Sequence, residues 1–83
     1  MKVTVRYFAD YREAAGTERE EVEVPAGGAS LADVIRIAGE MHPGLNVDPR
    51  RSFLSINAEF RRPEDIVRDG DEVAIMPMVS GGG

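Results

Sequence analysis

Only one stretch of the chain repeats apolar residues at helical spacing beyond two turns. In "SLADVIRIAGEM", residues 30–41, the side chains of Leu31, Val34, Ile35, Ala38 and Met41 fall on one stripe. Ser30 stands at the N-cap position with Asp33 three residues on, an approximate capping box, and "HPG" from His42 stops the helix. A lone amphipathic helix has to bury its stripe against another element. What flanks it alternates with the period of two that half-buried strands show. With 83 residues there is room for one domain and one modest core. The expected architecture is therefore a sheet with one helix laid across a single face.

The flanking segments fill in that scheme. "KVTVRYFA" sets Val3, Val5 and Tyr7 on one face and Lys2, Thr4, Arg6 and Phe8 on the other, so Phe8 is an apolar residue on the polar side. "DYREAAG", residues 10–16, begins with a helix-starting Asp10 and ends on Gly16, which predicts one or two helical turns. In "EREEVEVPA" Val22 and Val24 alternate with Glu21 and Glu23, and Pro25 closes the strand. After the helix, residues 45–51 look irregular and "SFLSIN" reads as a strand with Leu54 and Ile56 inward. Asn57-Ala58-Glu59 is a tight turn, a single helical turn is expected after Pro63, and Asp69-Gly70-Asp71 turns the chain into a last strand with Val73 and Ile75 inward. The order is strand, short helix, strand, long helix, strand, strand. This is an α+β class, read as a β-grasp (ubiquitin-like) mixed sheet with the first and last strands side by side at the centre. Element order alone also permits a ferredoxin-like sandwich.

Composition excludes several chemistries. There is no cysteine, which removes disulfides, thiolate metal sites and cysteine nucleophiles. The net charge of -5 disfavours a phosphate backbone as partner, so no nucleic acid is expected. No apolar run approaches the roughly 20 residues that cross a bilayer, and "MKVTVRYF" alternates where a signal peptide would run apolar. No membrane association and a cytoplasmic location are expected. His42, the single histidine, reads as a polar helix terminus. Asp69 and Asp71 could hold a cation but read better as turn caps, and Arg50-Arg51 and Arg61-Arg62 as solvated loop charge. No nucleophile set or metal motif is present, so the chain is not expected to be an enzyme by itself.

The last residues are different. "MPMVSGGG" runs from strand directly into three glycines. Terminal glycines are ordinarily a frayed end. Glycine also lets a backbone pass through a narrow tunnel that side chains would clog, and leaves a terminal carboxylate open to attack on ATP. The expected division is residues 1–79 as the globular domain and 80–83 as a flexible tail.

On these residues the chain resembles the MoaD/ThiS family of ubiquitin-like sulfur carriers, and within it the small subunits of molybdopterin synthase. The resemblance rests on "VTVRYFADYREAAGTE", "INAEF" and above all "DGDEVAIMPMVSGGG", and covers nearly the whole chain. It implies a carrier with no bound cofactor, whose C-terminal glycine is adenylated by an E1-like adenylyltransferase (MoeB-like) using ATP and Mg²⁺. A persulfide sulfur donor then converts it to a thiocarboxylate. The tail, Ser80 and Gly81 leading to Gly82 and Gly83, would enter the large subunit of the synthase (MoaE-like), where sulfur passes to cyclic pyranopterin monophosphate. The family docks through an apolar patch, which maps onto Phe8, Phe60 and Met76, with Met78 and Val79 at the root of the tail. Met78 stands where the family commonly has a second proline, and its pattern ends at Gly82, one residue before Gly83. Gly83 is trimmed, accepted by the partner tunnels, or appended. Other destinations remain open: tRNA thiolation, isopeptide conjugation to protein lysines, or a plain β-grasp interaction domain.

Overall fold

The computed structural model describes residues 1–78. The N-terminal alternation becomes strand β1 (Lys2–Tyr7), which buries Val3, Val5 and Tyr7. It is followed by helix α1 (Ala9–Ala15), strand β2 (Arg19–Glu23), strand β3 (Ala29–Ser30) and helix α2 (Leu31–Met41). A 3-10 turn at Pro49–Arg51 leads into β4 (Ser52–Ile56), β5 (Glu59–Phe60), β6 (Ile66–Val67) and β7 (Glu72–Pro77). The main sheet has the order β2-β1-β7-β4-β5, and β3 pairs with β6 in a separate two-stranded sheet. β1 and β7 run parallel, with Thr4 opposite Glu72 and Tyr7 opposite Ile75, while the other pairs are antiparallel. The first and last strands therefore meet at the centre, and the topology is the β-grasp.

Across the inner face Val22, Val3, Val5, Tyr7, Val73, Ile75, Leu54 and Ile56 form a continuous buried layer with Leu31, Val34, Ile35 and Ala38 of α2. Met41 departs from the expected stripe and is exposed. Ten residues beyond Leu31, it lies about 80° short of three whole turns, at the margin of the buried arc. The capping box is present in full. Ser30 Oγ accepts from the Asp33 amide at 3.2 Å, and the Ser30 amide donates to Asp33 Oδ2 at 3.0 Å.

Several local readings are corrected by the fold. The segment after Pro63 is not a helical turn. The carbonyls of Pro63 and Asp65 accept from the Ala32 and Leu31 amides at 2.9 Å each, satisfying donors that the start of α2 leaves over, and the chain then pairs as β6. Asp10 does not cap α1 but lies in its first turn; Phe8 holds the N-cap position with no side-chain bond. The expected stop is as read, since Gly16 adopts φ 74° and its amide donates to Arg12 O at 2.9 Å. Glu59 belongs to β5, so the hairpin turn is the pair Asn57-Ala58, at φ 51° and 69°. Two positive values match a two-residue hairpin of the mirror-image type. Asn57 pins it, accepting from the Glu72 amide at 2.9 Å and donating to Asp71 Oδ1 at 3.0 Å. Asp71 caps the turn as read, its Oδ2 accepting from the Arg68 amide, whereas Asp69 Oδ1 accepts from the Lys2 amide and ties the turn to the start of β1.

Two predictions follow from this geometry. Ala58→Gly is expected to stabilise the protein by about 0.5–1 kcal/mol in urea unfolding, because alanine pays roughly 1–2 kcal/mol in the left-handed region, less the entropy glycine adds to the unfolded chain. The amide of Ser30 holds the Asp33 carboxyl below the usual carboxylate range. A lowered folded value stabilises above the unfolded value and loses that contribution as pH falls through the folded one. Asp33→Asn should therefore be more destabilising at pH 6 than near pH 2, measured by urea unfolding at both.

Candidate functional site

Alternation along each strand sends every second side chain to the face that α2 does not cover. The pairings place these residues in rows: Arg6 beside Ala74, Ala74 beside Ser55, Ser55 beside Phe60, and Met76 beside Phe53. Phe60 is 74% exposed and Phe53 45%, and their rings lie 5.9 Å apart in a tilted arrangement. Next to Met76 the chain leaves β1 at Phe8, whose amide donates to Ile75 O at 3.2 Å. The Arg6 guanidinium lies 5.1 Å above the Phe8 ring, covering one of its faces. Four large apolar side chains thus share an open sheet face around β7. Such a cluster, with Phe53 and Phe60 exposed and Phe8 and Met76 half-buried among the described residues, suits docking against another protein surface.

Phe8, Phe60 and Met76 lie on one face of the sheet. The same face holds Phe53, which the sequence reading passed over. The signal was present: in "SFLSIN" Phe53 is out of phase with the inward Leu54 and Ile56, as Phe8 is with Tyr7. Met78 is not part of this face. It is exposed, its amide donates to Arg51 O at 3.0 Å, and it borders a groove of about 900 Å³ with Tyr11, Arg50, Arg51 and Pro77. Tyr11 is held there through its hydroxyl, 2.6 Å from Ser52 Oγ. Val79, Ser80, Gly81, Gly82 and Gly83, and with them the boundary between domain and tail, lie outside the described residues.

His42 does more than end a helix. Its Nε2 lies 2.6 Å from Glu20 Oε2, and the same oxygen accepts from the Tyr7 hydroxyl at 2.6 Å. The rings of Tyr7 and His42 meet edge to face at 6.0 Å. Burial, then the hydrogen bond to Glu20, raises the Tyr7 hydroxyl pKa, so it remains a neutral donor. Glu20 shares the inward phase of Val22 and Val24, a period-two signal legible in the sequence. The cluster ties β1, β2 and the end of α2 together. Among the described residues no group of three or more His, Cys, Asp or Glu could hold a metal ion, and no helix is long and apolar enough to cross a membrane.

A family model described as the ThiS family matches residues 5–82. The chain belongs to the ThiS family. A molybdopterin synthase sulfur carrier subunit from Chlamydomonas reinhardtii is 38% identical over 84 residues, covering 99% of this chain and 100% of that protein. Among solved structures, SAMP1 from Haloferax volcanii superposes with a TM-score of 0.85 at 28% identity, covering 99% of this chain and 100% of the other. A chain of the BexX/CysO complex from Amycolatopsis orientalis gives 0.68 at 30% identity, over 96% and 99%. The fold of this ThiS-family chain is thus that of ubiquitin-like carriers, one of them solved in a two-protein complex.

Outer-face residues and core residues should separate by stability. Phe60→Ser is expected to change unfolding free energy by no more than about 0.5 kcal/mol, since the ring is mostly in solvent. Leu54→Ala, one strand away and on the inner face, should cost about 2–5 kcal/mol in the same urea titration.

Proposed function

We propose that this protein is a sulfur carrier of the molybdopterin synthase type, acting as a small subunit with catalysis in its partner. The observation that carries the reading is the open face of Phe8, Phe53, Phe60 and Met76 on and beside β7, the strand that feeds the glycine tail. A tail that must enter another protein's active site loses conformational freedom there, and a preformed docking face offsets that cost. Membership of the ThiS family and the likeness to molybdopterin synthase carrier subunits support the same reading.

In this reading an E1-like adenylyltransferase binds the apolar face and adenylates the terminal glycine carboxylate with ATP and Mg²⁺. The outer sulfur of a persulfide displaces AMP to give an acyl disulfide, and a second thiol on the donor cleaves its S–S bond and ends in a disulfide with the first. The released thiocarboxylate is delivered to the large synthase subunit, where the acceptor is cyclic pyranopterin monophosphate. The carrier needs no thiol of its own, in keeping with the absence of cysteine. Likeness to SAMP1, called elsewhere a small archaeal modifier protein, supports a second reading in which the same activated terminus is joined to protein lysines.

Incubation with the activating enzyme, ATP and a sulfur donor should raise the intact mass by one oxygen-to-sulfur exchange at the C-terminus. A combined Phe53→Ser and Phe60→Ser variant should fold yet react and bind the large subunit far more weakly. An unchanged mass with a competent activating enzyme overturns the carrier reading.

A further inference from the structure

An activated glycyl carboxyl group acylates any accessible unprotonated amine or thiolate, so a chain that carries one is exposed to attack from its own copies. The sequence has almost nothing with which to attack. It has no cysteine, and Lys2 is its only lysine; every other cationic side chain except His42 is arginine. A guanidinium stays protonated and offers no lone pair at neutral pH. His42 is engaged by Glu20 at 2.6 Å. The Met1 amine donates to Val24 O at 2.9 Å and lies 3.4 Å from the Glu23 carboxylate, and the Met1 side chain is only 13% exposed. Lys2, by contrast, is exposed.

The topology then decides who can reach it. β1 and β7 are parallel, so Lys2 at the start of β1 and Met78 just past the end of β7 are at opposite ends of the sheet. Tyr7 is level with Ile75. Counting back from Tyr7 to Lys2 and forward from Ile75 to Met78 gives eight residue steps, or about 26 Å at ~3.3 Å each. Five further residues span at most roughly 17 Å even when fully extended.

We propose that Lys2 is the one amine on this protein that accepts its own activated terminus, and that a second copy alone can deliver it. The proposal rests on the chemistry assigned above to Gly83. The deprotonated Nζ of Lys2 attacks the carbonyl carbon of the acyl-adenylate on another chain. A C–N bond forms, the C–O bond to AMP breaks, AMP leaves with the bonding pair, and the surplus proton passes from nitrogen to solvent. The product keeps a free Lys2 at one end and a free Gly83 at the other, so linkage is head-to-tail and open-ended. Arginine in place of lysine elsewhere confines this side reaction to one position.

The test uses the full chain carrying a chemically prepared thioester at Gly83, concentrated at mildly alkaline pH. Intact mass and peptide mapping follow it, beside the unmodified chain with activating enzyme and ATP. A two-chain product joined from Gly83 to Lys2, without a circular monomer, and its loss in Lys2→Arg with acylation of an added small amine unchanged, are expected. A circular monomer overturns the proposal. So does a two-chain product that persists in Lys2→Arg, or no two-chain product while the added amine is acylated. The thioester needs no enzyme. A Lys2-linked product there with no product in the enzymatic arm upholds Lys2 and rejects adenylation of the terminus.

Discussion

The parallel pairing of β1 with β7 is the constraint on which the rest of the molecule depends. It joins the two ends of the chain at the centre of the sheet, where both strands are hydrogen-bonded on both edges. The ladder continues past the strands themselves, from the Gly70 amide on Lys2 O at 2.8 Å to the Phe8 amide on Ile75 O. A parallel pair needs a long crossover. Here β2, α2, β4 and the short strands supply it, and α2 can lie only on the face that the crossover encloses.

That one-sided cover gives the sheet two faces with different chemistry. Inside, Val5, Val73 and Ile56 align across three strands, and so do Tyr7, Ile75 and Leu54. Outside, no helix among the described residues packs over the same strands, and an apolar residue there meets neighbours on the same face. Phe53 and Phe60 meet in that way, and Phe8 is shared with Arg6. The pairing also carries β7 outward at the end of the sheet farthest from Lys2. The apolar face and the end of β7 are therefore adjacent, while Lys2 lies at the opposite end of the sheet.

Much of the fold was legible because its signals are local. Val3, Val5, Val22, Val73 and Ile75 show inward phase by alternation alone, and Ser30 with Asp33 writes its cap into adjacent residues. The short strands β3 and β6 were not legible, since two residues carry no period. Residues 63–65 looked like a helical turn because Pro63 favours one, whereas their carbonyls answer to the donors of α2, far away in sequence. Phe8 and Met76 stood out as apolar residues in polar phase. Phe60 follows a turn, and its side could not be assigned until Ser55 was opposite it. Glu20 looked like one glutamate among many, and only the closing of α2 over β2 brings His42 to it.

By itself, the sequence determined which residues seek the core, where the main helix begins, and which nucleophiles the chain lacks. These depend on composition and on spacing within one segment. Only the tertiary structure decided that four apolar side chains from separate segments share one face of the sheet, and that Lys2 lies at the opposite end of the sheet from Met78. Both follow from strand register and direction, which arise from pairing between residues distant in the chain and cannot be read from either partner alone.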